Sequence, residues 1–338
     1  MRQHFTQQII THHFTIIIGL TLLFVPLFTN AQTFDNDAII KMSPRFPKPY
    51  ETVDISLSST STNLNQATIS WFINNKKQVS GTGEYAIQIK LGDAGSSAQI
   101  RAEIVYLSGF QTTRNITIRP ASVDILWSGH TYTPAFYKGR ALPSSNSFII
   151  FNAVPSFIDS RGNVVDSSKI IYSWSHRGVQ LGGSSGYGAD RLVLEGEPTS
   201  QQSMIISVTA STPDGAIEAQ ETVRLRVVNP FALFYEKHPL NGVGYEQTFF
   251  NTLEFTKEEM TIRAEPYYFS LDDIFNNLLT YEWRINRKDV LPQGNRDDEI
   301  TLRNDSGGRG EARVALRIRN TNLDKILQEF VGAFTLRF

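Results

Sequence analysis

Three tryptophans in nearly identical surroundings constrain the fold of this chain more than any other feature. They are Trp71 in ISWFINNK, Trp174 in YSWSHRGV and Trp283 in YEWRINRK, spaced 103 and 109 residues apart. Self-similarity at a fixed period is the signature of a repeated structural unit. The sequence therefore predicts three copies of one module, each built around its own tryptophan.

The runs that follow each tryptophan alternate apolar and polar residues. After a glycine-containing stretch come AQIRAEIVY, MIISVTAS and ARVALRIRN, and each copy closes with a second such run: RNITIRP, TVRLRVVNP and AFTLRF. This period of two indicates half-buried antiparallel strands. Short strands around a central tryptophan in about 100 residues are typical of an immunoglobulin-like sandwich. The predicted fold class is all-β, with three tandem immunoglobulin-like β-sandwich modules after an N-terminal signal peptide.

The repeat also sets the predicted module boundaries. Arg119-Pro120 and Asn229-Pro230 end the first two copies, and Phe338 falls at the same point of the third. The predicted segments are a signal peptide at 1–31, module 1 at 32–120, module 2 at 121–229 and module 3 at 230–338.

The N-terminal segment has the pattern of a secretory signal. Arg2 precedes the apolar run FTIIIGLTLLFVPLF at 14–28, which is short for a membrane span, and Thr29-Asn30-Ala31 forms a cleavage site before Gln32. An uncleaved anchor is the alternative. No second apolar run follows, so we expect no integral membrane segment in the mature chain and a location at the cell surface or in the medium.

The composition of the chain excludes several classes of function. The chain has no cysteine, which excludes disulfides, thiolate metal sites and cysteine nucleophiles. Its formal net charge is -1, and no basic run carries interleaved aromatics, so we expect no nucleic-acid partner. Modules of about 100 residues can be held together by their hydrophobic cores alone.

One motif suggests a catalytic nucleophile. GGSSG at 182–186 matches G-x-S-x-G with Ser184 at its centre. A nucleophile elbow needs a strand before the serine and a helix after it, whereas GYGADRLVLEG indicates a turn and a strand. We therefore interpret the motif as a hairpin loop and predict no catalytic residue, and a hydrolase is the weakest of the alternatives.

Two acidic clusters, Asp272-Asp273 and Asp297-Asp298-Glu299, offer oxygen ligands for calcium. Neither has the D-x-D-x-D-G spacing, and neither recurs in the other copies. We interpret them as solvated loops and expect no cofactor, with calcium left open as the alternative.

The connections between modules carry aromatic and histidine residues that repeat with the junction. Aligning Trp127 with Tyr235 also aligns His130 with His238 and Tyr137 with Tyr245. Such residues form either a binding surface for surface proteins or glycans, or contacts packed into the neighbouring module. Because the pattern repeats with the junction, we favour packing and a semi-rigid rod.

Two segments favour helix locally. Ser270-Leu-Asp-Asp273 resembles a capping box, which predicts a short helix there. The segment LDKILQEF at 323–330 also looks helical, but its counterpart in module 2 leads directly into a strand. We therefore predict mainly strand over 326–338.

The Y-x-W motif, the glycine loop after it and the tandem arrangement resemble secreted bacterial proteins with repeated Ig-like or PKD-like domains. VDILWSGHTYTPAFYKGRAL at 123–142, SSGYG at 184–188 and AEPYYFS at 264–270 narrow the resemblance to exported proteins of candidate-phylum bacteria. The chain lacks the W-D-F-G-D-G type run of PKD domains, which favours the Ig-like label. The resemblance implies a surface, extracellular or adhesive role and carries over no catalytic residue.

The sequence thus predicts an exported, non-enzymatic structural or adhesive protein. Two alternatives are an accessory subunit of a surface apparatus, such as a pilus or secretion machine, and a hydrolase. The sequence does not fix the oligomeric state.

Overall fold

The computed structural model describes residues 38–199, 201–249, 251–304 and 309–338. The predicted signal peptide at 1–31 lies outside these ranges. Nearly all regular structure in them is β, and the strands form six sheets in three pairs. Within the same ranges, no helix has the length and apolarity needed to cross a membrane.

The strands of module 1 form one sheet of three and one of four. They are β1 Ile39–Ser43, β2 Thr52–Ser58, β3 Thr68–Ile73, β4 Lys76–Thr82, β5 Ala86–Lys90, β6 Ala98–Val105 and β7 Gln111–Ile118, with a 3-10 turn at Leu64–Gln66. The sheet orders are β1-β2-β5 and β4-β3-β6-β7, and all pairs are antiparallel. In immunoglobulin lettering these are strands A-B-E and C′-C-F-G.

Module 2 repeats this arrangement. Its strands are β8 Ser122–Gly129, β9 Phe148–Ser156, β10 Ile171–His176, β11 Val179–Gln180, β12 Gly186–Tyr187, β13 Arg191–Glu195, β14 Ser203–Ser211 and β15 Glu218–Arg226, with 3-10 turns at Ser167–Lys169 and Gly182–Ser184. The order β8-β9-β13 gives A-B-E, and β11-β10-β14-β15 gives C′-C-F-G.

Module 3 has the same order and two additional strands. The elements are β16 Phe231–His238, β17 Gly242–Val243, β18 Thr252–Glu254, β19 Glu259–Tyr267, α1 Leu271–Phe275, β20 Leu279–Ile285, β21 Lys288–Val290, β22 Glu299–Arg303, β23 Glu311–Asn320 and β24 Glu329–Arg337, with a 3-10 turn at Leu323–Lys325. Strands β16-β19-β22 correspond to A-B-E and β21-β20-β23-β24 to C′-C-F-G. The predicted fold class is therefore confirmed by strand order, while the exact module boundaries stay predictions.

Each sandwich has its own hydrophobic core with the tryptophan of strand C at its centre. Trp71, Trp174 and Trp283 are buried in three separate clusters. Each indole N–H donates to a backbone carbonyl 13 to 15 residues further along the chain: Trp71 to Glu84 (2.7 Å), Trp174 to Ala189 (2.8 Å) and Trp283 to Asp297 (2.9 Å). The repeat therefore extends to the hydrogen bonding of the core.

The hairpin after each tryptophan turns at a two-residue turn and not at the glycine-containing stretch. The turn pairs Asn74-Asn75, Arg177-Gly178 and Asn286-Arg287 all have two consecutive positive φ angles. Two left-handed residues form the two-residue turn whose twist matches paired strands. The C–C′ hairpin therefore turns several residues before the glycine-containing stretch.

The two locally helical segments have different outcomes. The predicted helix is confirmed as Leu271–Phe275, but the Ser270 side chain does not cap it and instead bonds Lys325. In the segment 323–330, a 3-10 turn precedes the strand, which begins only at Glu329. The predicted strand over 326–338 is thus three residues too long at its start, because the Gln328 side chain is held away from the sheet by partners described below.

We expect Trp174→Phe to lower the free energy of unfolding by about 2–4 kcal/mol. The change leaves a cavity and removes the donor to the Ala189 carbonyl. Urea unfolding measures the loss, with the exposed Tyr187 changed to Phe as the control, expected to stay within about 0.5 kcal/mol. Equal stability of the two variants would contradict a central role for the indole.

Candidate functional site at the junction of modules 2 and 3

The A–B connection of module 2, residues 130–147, packs onto module 3, and we call it the docking segment. Its backbone pairs with module 3: Tyr132 N–H donates to the Phe269 carbonyl and Tyr268 N–H donates to the Tyr132 carbonyl, both at 2.8 Å. Tyr268 has a φ of 64°, and the pairing compensates the cost of that left-handed conformation. Modules 2 and 3 are thus joined by main-chain hydrogen bonds.

The start of the docking segment needs a glycine. The N–H of Gly129 donates to the Ala141 carbonyl at 2.8 Å as the segment folds back over the end of β8. A Cβ at this position would lie 2.6 Å from the Pro143 nitrogen, which no real side chain tolerates. The absence of a side chain at Gly129 therefore allows the segment to turn toward module 3.

Aromatic rings fill the space between the docking segment and the A-B-E sheet of module 3. The Phe136 ring lies 4.3 Å from the Tyr245 ring and 6.0 Å from the Tyr235 ring, measured between centroids. The hydroxyls of Tyr137 and Tyr268 are 2.7 Å apart. These contacts bury part of the apolar ring surface, although Phe136 and Tyr245 stay partly exposed, and the tyrosine hydroxyls keep polar partners.

Glu265 on β19 is a buried carboxylate at the centre of this interface, with 2% of its surface exposed. It accepts hydrogen bonds from Tyr132 (2.6 Å) in the docking segment, from Tyr245 (3.2 Å) and from Arg263 Nε (3.1 Å). A buried charge is tolerated only when it is paired and hydrogen-bonded. Removing the docking segment would take away the shortest of these bonds, so Glu265 ties the two modules together.

Gln328, in the F–G connection of module 3, is fully buried and links three backbone or side-chain groups. Its Nε2 donates to the Ser145 carbonyl of the docking segment at 2.7 Å. Its Oε1 accepts from Ser270 N–H at 2.8 Å and from Asn320 Nδ2 at 3.1 Å. One side chain thus satisfies polar groups from both modules.

A buried ion pair lies beside Gln328. Lys325 Nζ is 3.2 Å from Asp273 Oδ2 and donates to Ser270 Oγ at 3.0 Å. Burial acts to raise the pKa of Asp273, but hydrogen bonds from Asn320, Asn322 and Lys325 outweigh it and hold that pKa below its ordinary value. The carboxylate therefore stays charged and keeps its partners near neutral pH.

The structure places only some of the six residues predicted for the junction at the contact between modules 2 and 3. Four lie in it, namely Tyr137, Tyr235, Tyr245 and His130, whose Nε2 is 3.0 Å from Asp272 Oδ1 in module 3. Two do not, because Trp127 packs against the core of module 2 under Arg140, and His238 Nδ1 accepts from the backbone of its own turn.

The register of strand A explains why the alignment of Trp127 with Tyr235 is wrong. Leu126 is paired with Asn152 and Tyr235 with Arg263, and those two partners occupy the same place on strand B. Leu126 is therefore the counterpart of Tyr235. A slip of one residue moves a side chain to the opposite face of a strand, which places Trp127 inward and Tyr235 outward.

The junction between modules 1 and 2 is different, so the predicted repetition of one patterned junction is wrong. There, Lys48 and Glu221 form an exposed ion pair at 2.6 Å, and Ala121 N–H donates to the Pro47 carbonyl at 3.4 Å. Both contacts come from the A–B connection of module 1, residues 44–51, which is shorter than the docking segment.

The remaining candidates for chemistry lie in ordinary structural positions. Ser184 ends a 3-10 turn and has a strand after it, so the geometry of a nucleophile elbow is not formed there. In the described ranges, no group of three or more His, Asp or Glu side chains could hold a metal ion. Asp298 and Glu299 are instead bound to Arg296 and Lys237.

Buried polar residues such as Glu265, Gln328 and Lys325 were not expected from the sequence. The only signal near them is the segment AEPYYFS at 264–270, which contains Glu265 and the paired tyrosines. Lys325 and Gln328 lie in a run that looks like an exposed helix, but both are buried at the contact with module 2.

Comparison with known proteins gives structural likeness only. The chain matches no protein-family model and no curated protein. Similar solved structures include the fibronectin(III)-like modules of Clostridium thermocellum CbhA, with 14% identity, a TM-score of 0.26, and 56% of this chain and 94% of that chain covered.

Two further structures cover 89% of this chain. They are three N-terminal domains of the highly immunogenic outer capsid protein of bacteriophage RB49 (8% identity, TM-score 0.26, 98% of that chain) and the central fibronectin-III array of RIM-binding protein (11% identity, TM-score 0.30, 97% of that chain). At these identities and TM-scores, the likenesses add no argument about function.

We expect Gln328→Ala to lower the free energy of unfolding by about 2–4 kcal/mol, since it leaves Ser270 N–H and the Ser145 carbonyl without their partner. Chemical denaturation measures the change. Gln180→Ala is the matched control, because Gln180 is exposed and its side chain bonds Ser173 alone among the described residues, so we expect a loss within about 0.5 kcal/mol. Similar losses in both variants would argue against the junction network.

The junction should weaken at alkaline pH. Burial raises the pKa of Tyr132 and of Tyr268 above the ordinary value of 10.0, and the hydrogen bonds that Tyr132 donates to Glu265 and that Tyr268 shares with Tyr137 add to the effect. The folded chain keeps protons that the unfolded chain loses, so this stability is complete below pH 10 and declines as the pH rises further.

Melting temperatures measured from pH 8 upward check this expectation. Tyr268→Phe should reduce the alkaline decline, whereas Tyr187→Phe, at an exposed tyrosine, should leave it unchanged. A melting temperature that is constant well above pH 10 would show that the protonated phenols do not stabilise the junction.

Proposed function

We propose that this chain is an exported, non-enzymatic structural or adhesive protein in which modules 2 and 3 act as one rigid presenting unit. The observation that carries the proposal is the docking segment, which pairs its backbone with module 3 and places the Ser145 carbonyl on buried Gln328. Tandem domains move independently unless their interface is large and well packed. A protein that spaces or presents a surface benefits from such a fixed junction.

The chemistry of the junction supports a structural role. Its charged groups are already bound to one another, as Glu265 is to Arg263 and Asp273 is to Lys325. Its tyrosines use their hydroxyls within the interface. Groups with complete hydrogen bonding hold two surfaces in register and are poorly suited to attack a substrate.

Export is tested by fractionating the native cell and sequencing the N-terminus of the purified protein. We expect the chain in an extracytoplasmic fraction, beginning at Gln32 after loss of residues 1–31. A chain found in the cytoplasm with those residues intact would overturn the proposal. Cross-linking in the same cells identifies the surface proteins that it contacts.

A further inference from the structure

Module 3 contains an open cavity at the end of its sandwich, beside strand β20. The cavity has a volume of about 320 Å³ and is lined by Ile274 of α1, by Asn277 just after it, by Leu279 and Tyr281 of β20, and by Arg296 and Asp298 before β22. A space of this size is at the lower end of the range for small-molecule sites.

The internal repeat identifies what fills the same place in module 2. Tyr172 and Tyr281 each lie two residues before the tryptophan of strand C. Asp190 and Asp298 each follow the residue whose carbonyl accepts the indole N–H, and each uses its own carbonyl to accept from strand B. The tyrosine and the aspartate therefore form an equivalent pair in the two modules.

In module 2 a hydroxyl bridges this pair. Ser167 Oγ lies 2.8 Å from the Tyr172 hydroxyl and donates to Asp190 Oδ2 at 2.9 Å. In module 3, Tyr281 makes no side-chain hydrogen bond to any residue that the structure describes, and its ring forms part of the cavity wall. The bridging hydroxyl of module 2 thus has no counterpart supplied by the described part of module 3.

The groups around the cavity can receive a hydroxyl-bearing ligand. Burial raises the pKa of Tyr281, with the charges of Asp298 and Glu265 adding to the effect, so the phenol stays protonated and can donate. Asp298 is oriented by Arg296, whose Nε and Nη2 donate to its two oxygens at 2.9 and 2.7 Å. A carboxylate has about four acceptor positions and can still accept from a ligand.

We propose that this cavity binds a pyranose ring of a glycan, with one sugar hydroxyl between Tyr281 and Asp298 in the place that Ser167 Oγ takes in module 2. The half-buried side chains of Ile274 and Leu279 offer apolar surface for the C–H groups of the ring, and Asn277 offers amide groups for further hydroxyls. This site goes beyond the proposed structural role and does not depend on export.

The test is titration of the full chain with methyl glycosides of glucose, galactose, mannose and N-acetylglucosamine, followed by calorimetry and saturation-transfer NMR. For ligands of about a dozen non-hydrogen atoms, we expect a Kd on the order of 1 mM for the preferred sugar. Tyr281→Phe should weaken binding at least about ten-fold, which corresponds to the loss of one hydrogen bond.

Tyr172→Phe is the matched control. It breaks the bond to Ser167 and should lower the melting temperature without changing glycoside binding. Tyr281→Phe should leave the melting temperature unchanged, because its hydroxyl has no partner among the described residues. Asn295→Trp, at an exposed position beside the cavity, should block binding without affecting stability.

Two results would overturn the site. One is a wild-type chain that binds none of the four glycosides at millimolar concentration. The other is Tyr281→Phe binding as tightly as the wild type, or losing as much stability as Tyr172→Phe.

Discussion

The indole hydrogen bond of the central tryptophan fixes the spatial relation between the two sheets of every module. In module 2, Trp174 on strand C donates to the Ala189 carbonyl, and the carbonyl of the next residue, Asp190, accepts from Ala153 on strand B. The chain is thereby held at the point where it passes from one sheet to the other. Module 3 repeats the arrangement with Trp283, and this constraint places Asp298 at the cavity.

The junction of modules 2 and 3 shows how a repeated fold acquires an individual contact. The strand order is common to all three modules, but the A–B connection of module 2 is longer than that of module 1 and packs onto module 3. Its backbone pairing and the buried Gln328 replace water as partners for polar groups on both sides. A difference confined to one loop therefore changes how neighbouring modules are held.

Much of the fold could be predicted from the sequence because it follows from local patterns. Alternating residues define strands, and the spacing of Trp71, Trp174 and Trp283 defines the repeat, since a tryptophan of this size must be buried in each copy. The register of strand A could not be predicted, because aligning aromatic residues by type placed Trp127 on Tyr235, one residue away from the true match.

The residues that form the candidate sites could not be predicted from local sequence patterns. Gln328 and Lys325 belong to a run of helical appearance, but both are buried where module 2 contacts module 3, which a local pattern does not encode. The cavity at Tyr281 has no sequence motif, because it depends on a hydroxyl that one module supplies and another does not.

The contrast between the two junctions also determines where a mechanical load on the chain would be relieved. An exposed ion pair such as Lys48–Glu221 contributes at most about 1 kcal/mol, whereas a buried network such as that of Gln328 loses several kcal/mol when it is broken. Tension applied through module 1 would therefore separate the first junction while modules 2 and 3 stayed together. Opening of the first junction would relieve the load, so the surfaces of modules 2 and 3 would keep their relative arrangement.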